Sequence, residues 1–182
     1  ETWDALLWLQ EHQSDQLVSI GVSNFGIDHL ELLRQAGRPM PVVNQIEMHP
    51  LVYSQRQDLL EYCREHSIQI QAFGSLLHGY SHFLTDPPEF LSEMVRRYDT
   101  NGVEYASYNS NNSALVGDLP PPAITTVHIL LQWALQHGFA IIPKSSKTER
   151  ITENVRYTNL APNRSNDESK AVDFRLSEED MD

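Results

Sequence analysis

The chain has 182 residues, a single cysteine and a formal charge of −12, with 13 lysines and arginines against 25 aspartates and glutamates. That balance excludes a nucleic-acid surface, which needs clustered cations, while the length allows one domain with a real core. No apolar run approaches the roughly 20 residues that span a bilayer, no basic-then-apolar leader opens the chain, and the lone Cys63 suits a reducing, cytoplasmic compartment.

Glu1–His12 reads as a helix, with Thr2 placed to cap it and Trp3, Leu6, Leu7 and Leu9 on its apolar face. Leu17–Val22 is a short strand-like run that ends in Gly21-Val22-Ser23-Asn24-Phe25. Ile27, Leu30, Leu33 and Ala36 recur at helical spacing, and Gly37 closes that helix. Pro41–Met48 returns to strand character, interrupted by Asn44, Gln45 and Glu47. Polar side chains in a strand that should be buried need partners, so they suggest a lined site.

Ser54–His66 is helical, with Leu59, Leu60 and Cys63 on one side. No base or positive helix end adjoins Cys63, which therefore reads as a buried thiol. Ile68–Phe73 alternates as a half-buried strand does, Gly74–Gly79 is a glycine-bounded loop, and Pro87–Tyr98 forms another helix. Asp99–Pro122, rich in Asn and Ser and ending in three prolines, cannot sustain a core and reads as a flexible surface insertion, 99–121.

Ala123–His137 carries the strongest helical stripe, Ile124, Val127, Leu130, Leu131, Ala134 and Leu135, with Pro122 near its start and Gly138 at its stop. Phe139–Pro143 is the last strand and Thr148–Tyr157 the last long helix. The remainder, 158–182, is a polar, acidic tail whose Leu176-Ser177-Glu178-Glu179-Asp180 has the pattern of a capped helix start. Starting at Glu1 and stopping where a helix should continue, the chain is expected to be a piece of something longer. Asn111-Asn112-Ser113 and Asn163-Arg164-Ser165 fit the glycosylation pattern by chance if the chain is not secreted.

Within the last strand and helix, Pro143 is followed by Lys144, Ser145, Ser146 and Lys147, then by Arg150. A strand that delivers cations and hydroxyls to a helix start suits a phosphate, because the first N–H groups of a helix are unpaired and its dipole is positive there. Strands alternating with helices imply parallel pairing and right-handed crossovers. A small doubly wound sheet and part of an eight-fold barrel both satisfy that pattern.

Several of these runs resemble the aldo-keto reductases. Ile20-Gly21-Val22-Ser23-Asn24-Phe25, Val43-Asn44-Gln45-Ile46-Glu47-Met48-His49-Pro50, Leu131-Gln132-Trp133-Ala134-Leu135-Gln136 and Ile142-Pro143-Lys144-Ser145 are similar to that family's motifs, in order. Arg150, Glu153-Asn154 and Asp173-Phe174-Arg175-Leu176-Ser177 extend the match. The resemblance implies a partial (β/α)₈ barrel, roughly its last four strand-helix units over residues 1–157. Such a portion leaves two strand edges that invite pairing with a second copy or with the missing N-terminal half.

The same resemblance implies NADPH as cofactor and a small carbonyl compound as substrate, reduced from aldehyde or ketone to alcohol. Ser23, Asn24 and Gln45 would bind the nicotinamide carboxamide, and Phe73, where the family usually has tyrosine, would stack on the ring. Lys144, Ser145 and Arg150 would hold the adenosine 2′-phosphate, with Glu153 and Asn154 near the adenine. The family's usual Ser-Pro-Leu-Gly loop is replaced by Gly74-Ser75-Leu76-Leu77, so no pyrophosphate contact is carried over. The proton-transferring Asp, Tyr, Lys and His come from earlier strands of the family, so no catalytic residue is expected here and the chain alone is expected to be inactive.

Other chemistries are weaker. Gly21-Val22-Ser23-Asn24-Phe25 lacks the second glycine of a hydrolase elbow, and Glu47 with His49 lacks a closed metal ligand set. The serious rival is a relic half-barrel that binds nucleotide or another chain without turnover.

Overall fold

The computed structural model describes residues 1–78, 80–99, 124–157 and 175–181. Most of the expected insertion after Asp99, the start of the tail at 158–174, both glycosylation patterns, Pro122, Ala123 and Asp173-Phe174 lie outside the described residues. The chain divides into two compact units, one of residues 1–75 with 138–142 and one of 76–137 with 143–182.

The first unit opens with α1, Thr2–His12, followed by β1 (Val22–Ser23), α2 (Ile27–Gln35) and β2 (Val43–Glu47). Then come α3 (Pro50–Tyr53), a 3₁₀ turn (Ser54–Arg56), α4 (Gln57–Glu65) and β3 (Gln69–Phe73), and β4 (Ala140–Ile141) completes it. The sheet order is β1-β2-β3-β4 and every neighbouring pair is parallel. Strand order follows chain order with no reversal, so among the described strands there is no topological switch point of the kind a doubly wound sheet has.

One sheet face is the core. Asn44, Ile46, Ile70 and Ala72 are buried on it, and Leu30 of α2 and Leu59 and Cys63 of α4 are buried as well. Glu31 of α2 joins the two helices: Arg34 donates to it twice at 2.7 Å and Tyr62 of α4 donates at 2.5 Å. Those donors, Arg34 first, hold the Glu31 carboxyl down at about 2. Gly21 lies so close to β2 that a Cβ would meet the Val43 oxygen at 2.7 Å, which explains a glycine there. Gly37 has φ +65, and Arg38 N–H closes back on Leu33 C=O at 3.0 Å, ending α2 as expected.

Four expectations change here. Thr2 is the first helical residue of α1 and Glu1 takes the cap position, with no side-chain cap bond. β1 spans two residues where Leu17–Val22 was expected. Val42 N–H still reaches Ile20 C=O at 3.2 Å, but Gln10 Nε2 takes the Val18 carbonyl at 2.7 Å and Val18 is 78% exposed. A side chain thus takes a backbone carbonyl that a longer β1 would have used in the sheet. The helix expected over Ser54–His66 begins with the 3₁₀ turn, and β4 is shorter than Phe139–Pro143.

The second unit holds a 3₁₀ turn (Ser81–Leu84), α5 (Glu89–Tyr98), α6 (Thr126–Gln136), α7 (Thr148–Tyr157) and a closing 3₁₀ turn (Glu178–Asp180). α6 packs against α5 and α7, and its Ile129, Leu130, Leu131, Trp133 and Ala134 are buried. Gly138, with φ +79, follows it. The terminal segment is fastened side chain by side chain. Arg97 donates to both Asp180 oxygens at 2.6 and 2.8 Å, Ser177 N–H donates to Tyr98 Oη at 2.7 Å, and Trp133 Nε1 donates to Met181 C=O at 3.0 Å. Gln136 pairs with Leu176 in both directions. The expected helix start at Leu176–Asp180 is therefore a single turn held by α5 and α6.

Candidate functional site

Side chains alternate across a strand, so the face opposite the core carries Val43, Gln45 and Glu47 of β2 and Gln69, Gln71 and Phe73 of β3. Register aligns Ser23, Gln45, Gln71 and Ala140 as one row across all four strands. Gln45, Gln71 and Phe73 are half-buried and Ser23 exposed. Ser23, the last residue of β1, and Gln45, midway along β2, thus stand side by side.

The turn after β1 is built around the backbone oxygen of Gln45. Ser23 Oγ donates to it at 3.1 Å and Asn24 N–H at 2.9 Å. Asn24 Nδ2 donates in turn to Ser23 Oγ at 3.2 Å. Asn24 has φ 58, a left-handed conformation that asparagine tolerates better than most side chains. Asn44, one residue before Gln45, points the other way and is fully buried. Its Nδ2 donates to Phe25 C=O at 2.8 Å and its Oδ1 accepts Phe25 N–H at 3.3 Å, which fixes the turn from behind. Of the three polar residues expected to line a site, Asn44 is structural, while Gln45 and Glu47 face the row.

Phe73 lies one step further along the same face, beside Glu47 in register. His49, at the end of β2, is buried, with its Nε2 3.4 Å from Glu47 Oε1. Cys63 is buried beneath Asn44, and burial pushes its thiol up against the lowering effect of the Asn44 hydrogen bond, as an inert thiol requires. A cavity of about 210 Å³ lies on the core side, lined by Asn24, Phe25, Gly26, Ile46, Arg56 and Leu59. It shares only Asn24 with the expected site residues.

The other expected residues, Lys144, Ser145, Arg150, Glu153 and Asn154, belong to the second unit, in the run that enters α7. Ser145 Oγ accepts Lys147 N–H at 3.1 Å and donates to Lys147 C=O at 3.3 Å, forming a local turn just before the helix. Lys144, Lys147 and Arg150 are exposed, and none is ion-paired with a described residue. Three cations against one carboxylate, Glu149, within seven residues of a chain of charge −12 make a local anion-attracting patch. Glu153 and Asn154 are half-buried on α7.

One residue of the row escaped the sequence reading. Gln71 accepts a hydrogen bond from Gln45 Nε2 at 2.6 Å. Its position two residues before Phe73, on the same face of an alternating strand, was the signal that could have found it.

A family model described as the aldo/keto reductase family matches residues 1–173. The glyoxal reductase of Bacillus subtilis is 31% identical over 182 residues, covering 100% of this chain and 49% of its own length. The NADPH-dependent aldose reductase GRE3 of Saccharomyces cerevisiae is 34% identical over 148 residues, 81% of this chain and 41% of its own. A crystal structure of a Gox0644 variant in complex with NADPH superposes with a TM-score of 0.67 at 30% identity, covering 100% of this chain and 50% of that one. The chain spans about half the length of the curated relatives it matches.

Proposed function

Because the chain belongs to the aldo/keto reductase family, we propose that it forms the cofactor-holding part of an NADPH-dependent reductase that turns an aldehyde or ketone into an alcohol. The observation that carries this reading is the row Ser23–Gln45 where β1 ends in a parallel sheet, with Asn24 tied to it by two hydrogen bonds and Ser23 Oγ closing on the Gln45 carbonyl by a third. On this reading residues 1–157 are the last four strand-helix units of a (β/α)₈ barrel, and 158–182 a tail. Strand order without reversal, and relatives twice as long, support it.

The side chains fit the cofactor's two ends. Ser23, Asn24 and Gln45 offer hydroxyl and amide groups, which suit a neutral carboxamide better than an ion. Phe73 offers a flat ring on the same face. Lys144 and Arg150, unpaired with described carboxylates and joined by the Ser145 hydroxyl, suit a phosphate monoester, with Glu153 and Asn154 beside the adenine. Each charge-assisted bond contributes roughly 1.5–3 kcal/mol, so a 2′-phosphate is preferred to a bare hydroxyl there and NADPH to NADH.

NADPH, when bound, supplies the hydride. The chain's own part is to present one ring face by gripping the carboxamide and to anchor the phosphate. No side chain here is assigned to deliver the proton that the carbonyl oxygen gains; that group belongs to a missing N-terminal half, and the outer edges of β1 and β4 are where such a half or a second copy would pair. We place the protein in the cytoplasm.

The test is to titrate the chain with NADPH and with adenosine 2′,5′-bisphosphate, then to assay it with a nitrobenzaldehyde. Saturable binding of both without turnover is the expected result. Absence of binding to either would refute the proposal, and turnover by the chain alone would refute its dependence on a missing half.

A further inference from the structure

Gln71 has no part in the reading above, yet it governs what Gln45 can offer a ligand. Ser23 Oγ and Asn24 N–H both use the backbone oxygen of Gln45, at 3.1 and 2.9 Å. Its side chain is left to Gln71, whose Oε1 takes the Nε2 proton at 2.6 Å. Parallel register makes the pair unavoidable, because Gln45 and Gln71 are direct neighbours in the β2–β3 ladder. A primary amide has a donor end and an acceptor end of nearly equal size, so a lone, half-buried glutamine would present either. While Gln71, itself an amide, turns its Oε1 to Gln45, Nε2 is committed and the end left for a ligand is Oε1, an acceptor to which no described residue donates.

We infer that Gln71 is a positioning residue that locks the Gln45 amide with Oε1 toward the ligand, so that the subsite selects a ring substituent donating N–H, a primary carboxamide, over one of the same shape that cannot. The inference rests on the assignment of Gln45 to the carboxamide subsite. It adds that selectivity at the ring end is set by a residue that need not touch the ring.

The test uses the full 182-residue chain, oxidised NADP and its 3-acetylpyridine analogue, in which a methyl ketone replaces the carboxamide. Calorimetric titration of the unsubstituted chain is expected to show a preference for the carboxamide of about tenfold, the worth of one hydrogen bond. Gln71→Met, close in shape but without an acceptor, should bring the two affinities within about twofold. Gln71→Glu keeps an acceptor facing Gln45 Nε2 and should keep the ratio. Adenosine 2′,5′-bisphosphate should bind all three alike, which reports an intact fold. A wild-type ratio in Gln71→Met, a lost ratio in Gln71→Glu, or equal binding of both dinucleotides by the unsubstituted chain would overturn the inference while leaving the dinucleotide reading in place. Failure of the unsubstituted chain to bind either dinucleotide would refute that reading, and the inference with it.

Discussion

Acid should weaken this fold through His128 in a way a single substitution can isolate. His128 is 2% exposed, three residues after Thr125 at the start of α6. Its Nδ1 accepts Thr125 N–H at 3.1 Å, so the neutral ring caps the helix and its proton sits on Nε2. Burial pushes its pKa down from 6.5 to about 4. The unfolded chain therefore takes up a proton as pH falls through 6.5, while the folded chain resists until about 4. Stability is full above the unfolded value and is lost between the two, at about 1.4 kcal/mol per pH unit and about 3 kcal/mol in all. Urea unfolding followed by circular dichroism from pH 7 to 4 measures it. His128→Gln places an amide oxygen where Nδ1 stood and keeps a Thr-x-x-Gln cap, but cannot titrate. The difference between wild type and variant should shrink by about 3 kcal/mol across that window. Parallel pH curves for the two proteins would refute the burial argument.

Three further outcomes are expected. Asn44→Ala removes both bonds that hold Phe25 from the core side and leaves its half-buried N–H and C=O without that partner, which should cost about 2–3 kcal/mol by urea titration. A loss within the range of an ordinary surface substitution would mean that the turn after β1 does not depend on it. Cys63 should label with a thiol reagent only after denaturant is added; stoichiometric labelling of the native chain would contradict its burial. Asp180→Asn should speed amide exchange at Leu176 and Ser177. Burial alone would raise this carboxyl, but Tyr98, Ser177 and Arg97 outweigh it and hold it below the usual range. The wild-type segment should therefore stay protected above the ordinary carboxylate pKa and loosen as pH falls through the lower folded value; exchange indifferent to the substitution would show that the segment is held without this carboxylate.

The helices were legible wherever apolar spacing and a stop signal agreed. Thr148–Tyr157 appears with the expected bounds, and Gly37 and Gly138 both take the positive φ that a helix stop favours. The strands were legible in place but not in length. Val18 looked like a strand residue, yet the Gln10 amide takes its carbonyl, a contact between residues eight apart that no periodicity announces. The core was also legible: Leu30, Leu59 and Cys63 are buried as their helical spacing indicated. At the candidate site, Ser23, Asn24 and Gln45 were singled out through motif resemblance, whereas the pairing of Gln45 with Gln71 depends on strand register, which is a tertiary property.

Register also explains why adjacent, similar side chains have opposite work. Asn44 and Gln45 are both amides, and composition treats them alike. A strand has period two, so one must face the helices and the other the open face. On the helix side Asn44 is fully buried and both ends of its amide are consumed by Phe25. On the open side Gln45 spends one end on Gln71 and keeps the other. A one-residue slip of β2 would exchange them: a longer amide would enter the core without Phe25 as partner, and the open face would present a shorter side chain out of reach of Gln71. The burial of Ile46 on the same face as Asn44 opposes that slip, since it would expose a residue now 2% exposed. The apolar alternation of β2 therefore stabilises the fold and, in the same step, aims the Gln45 amide.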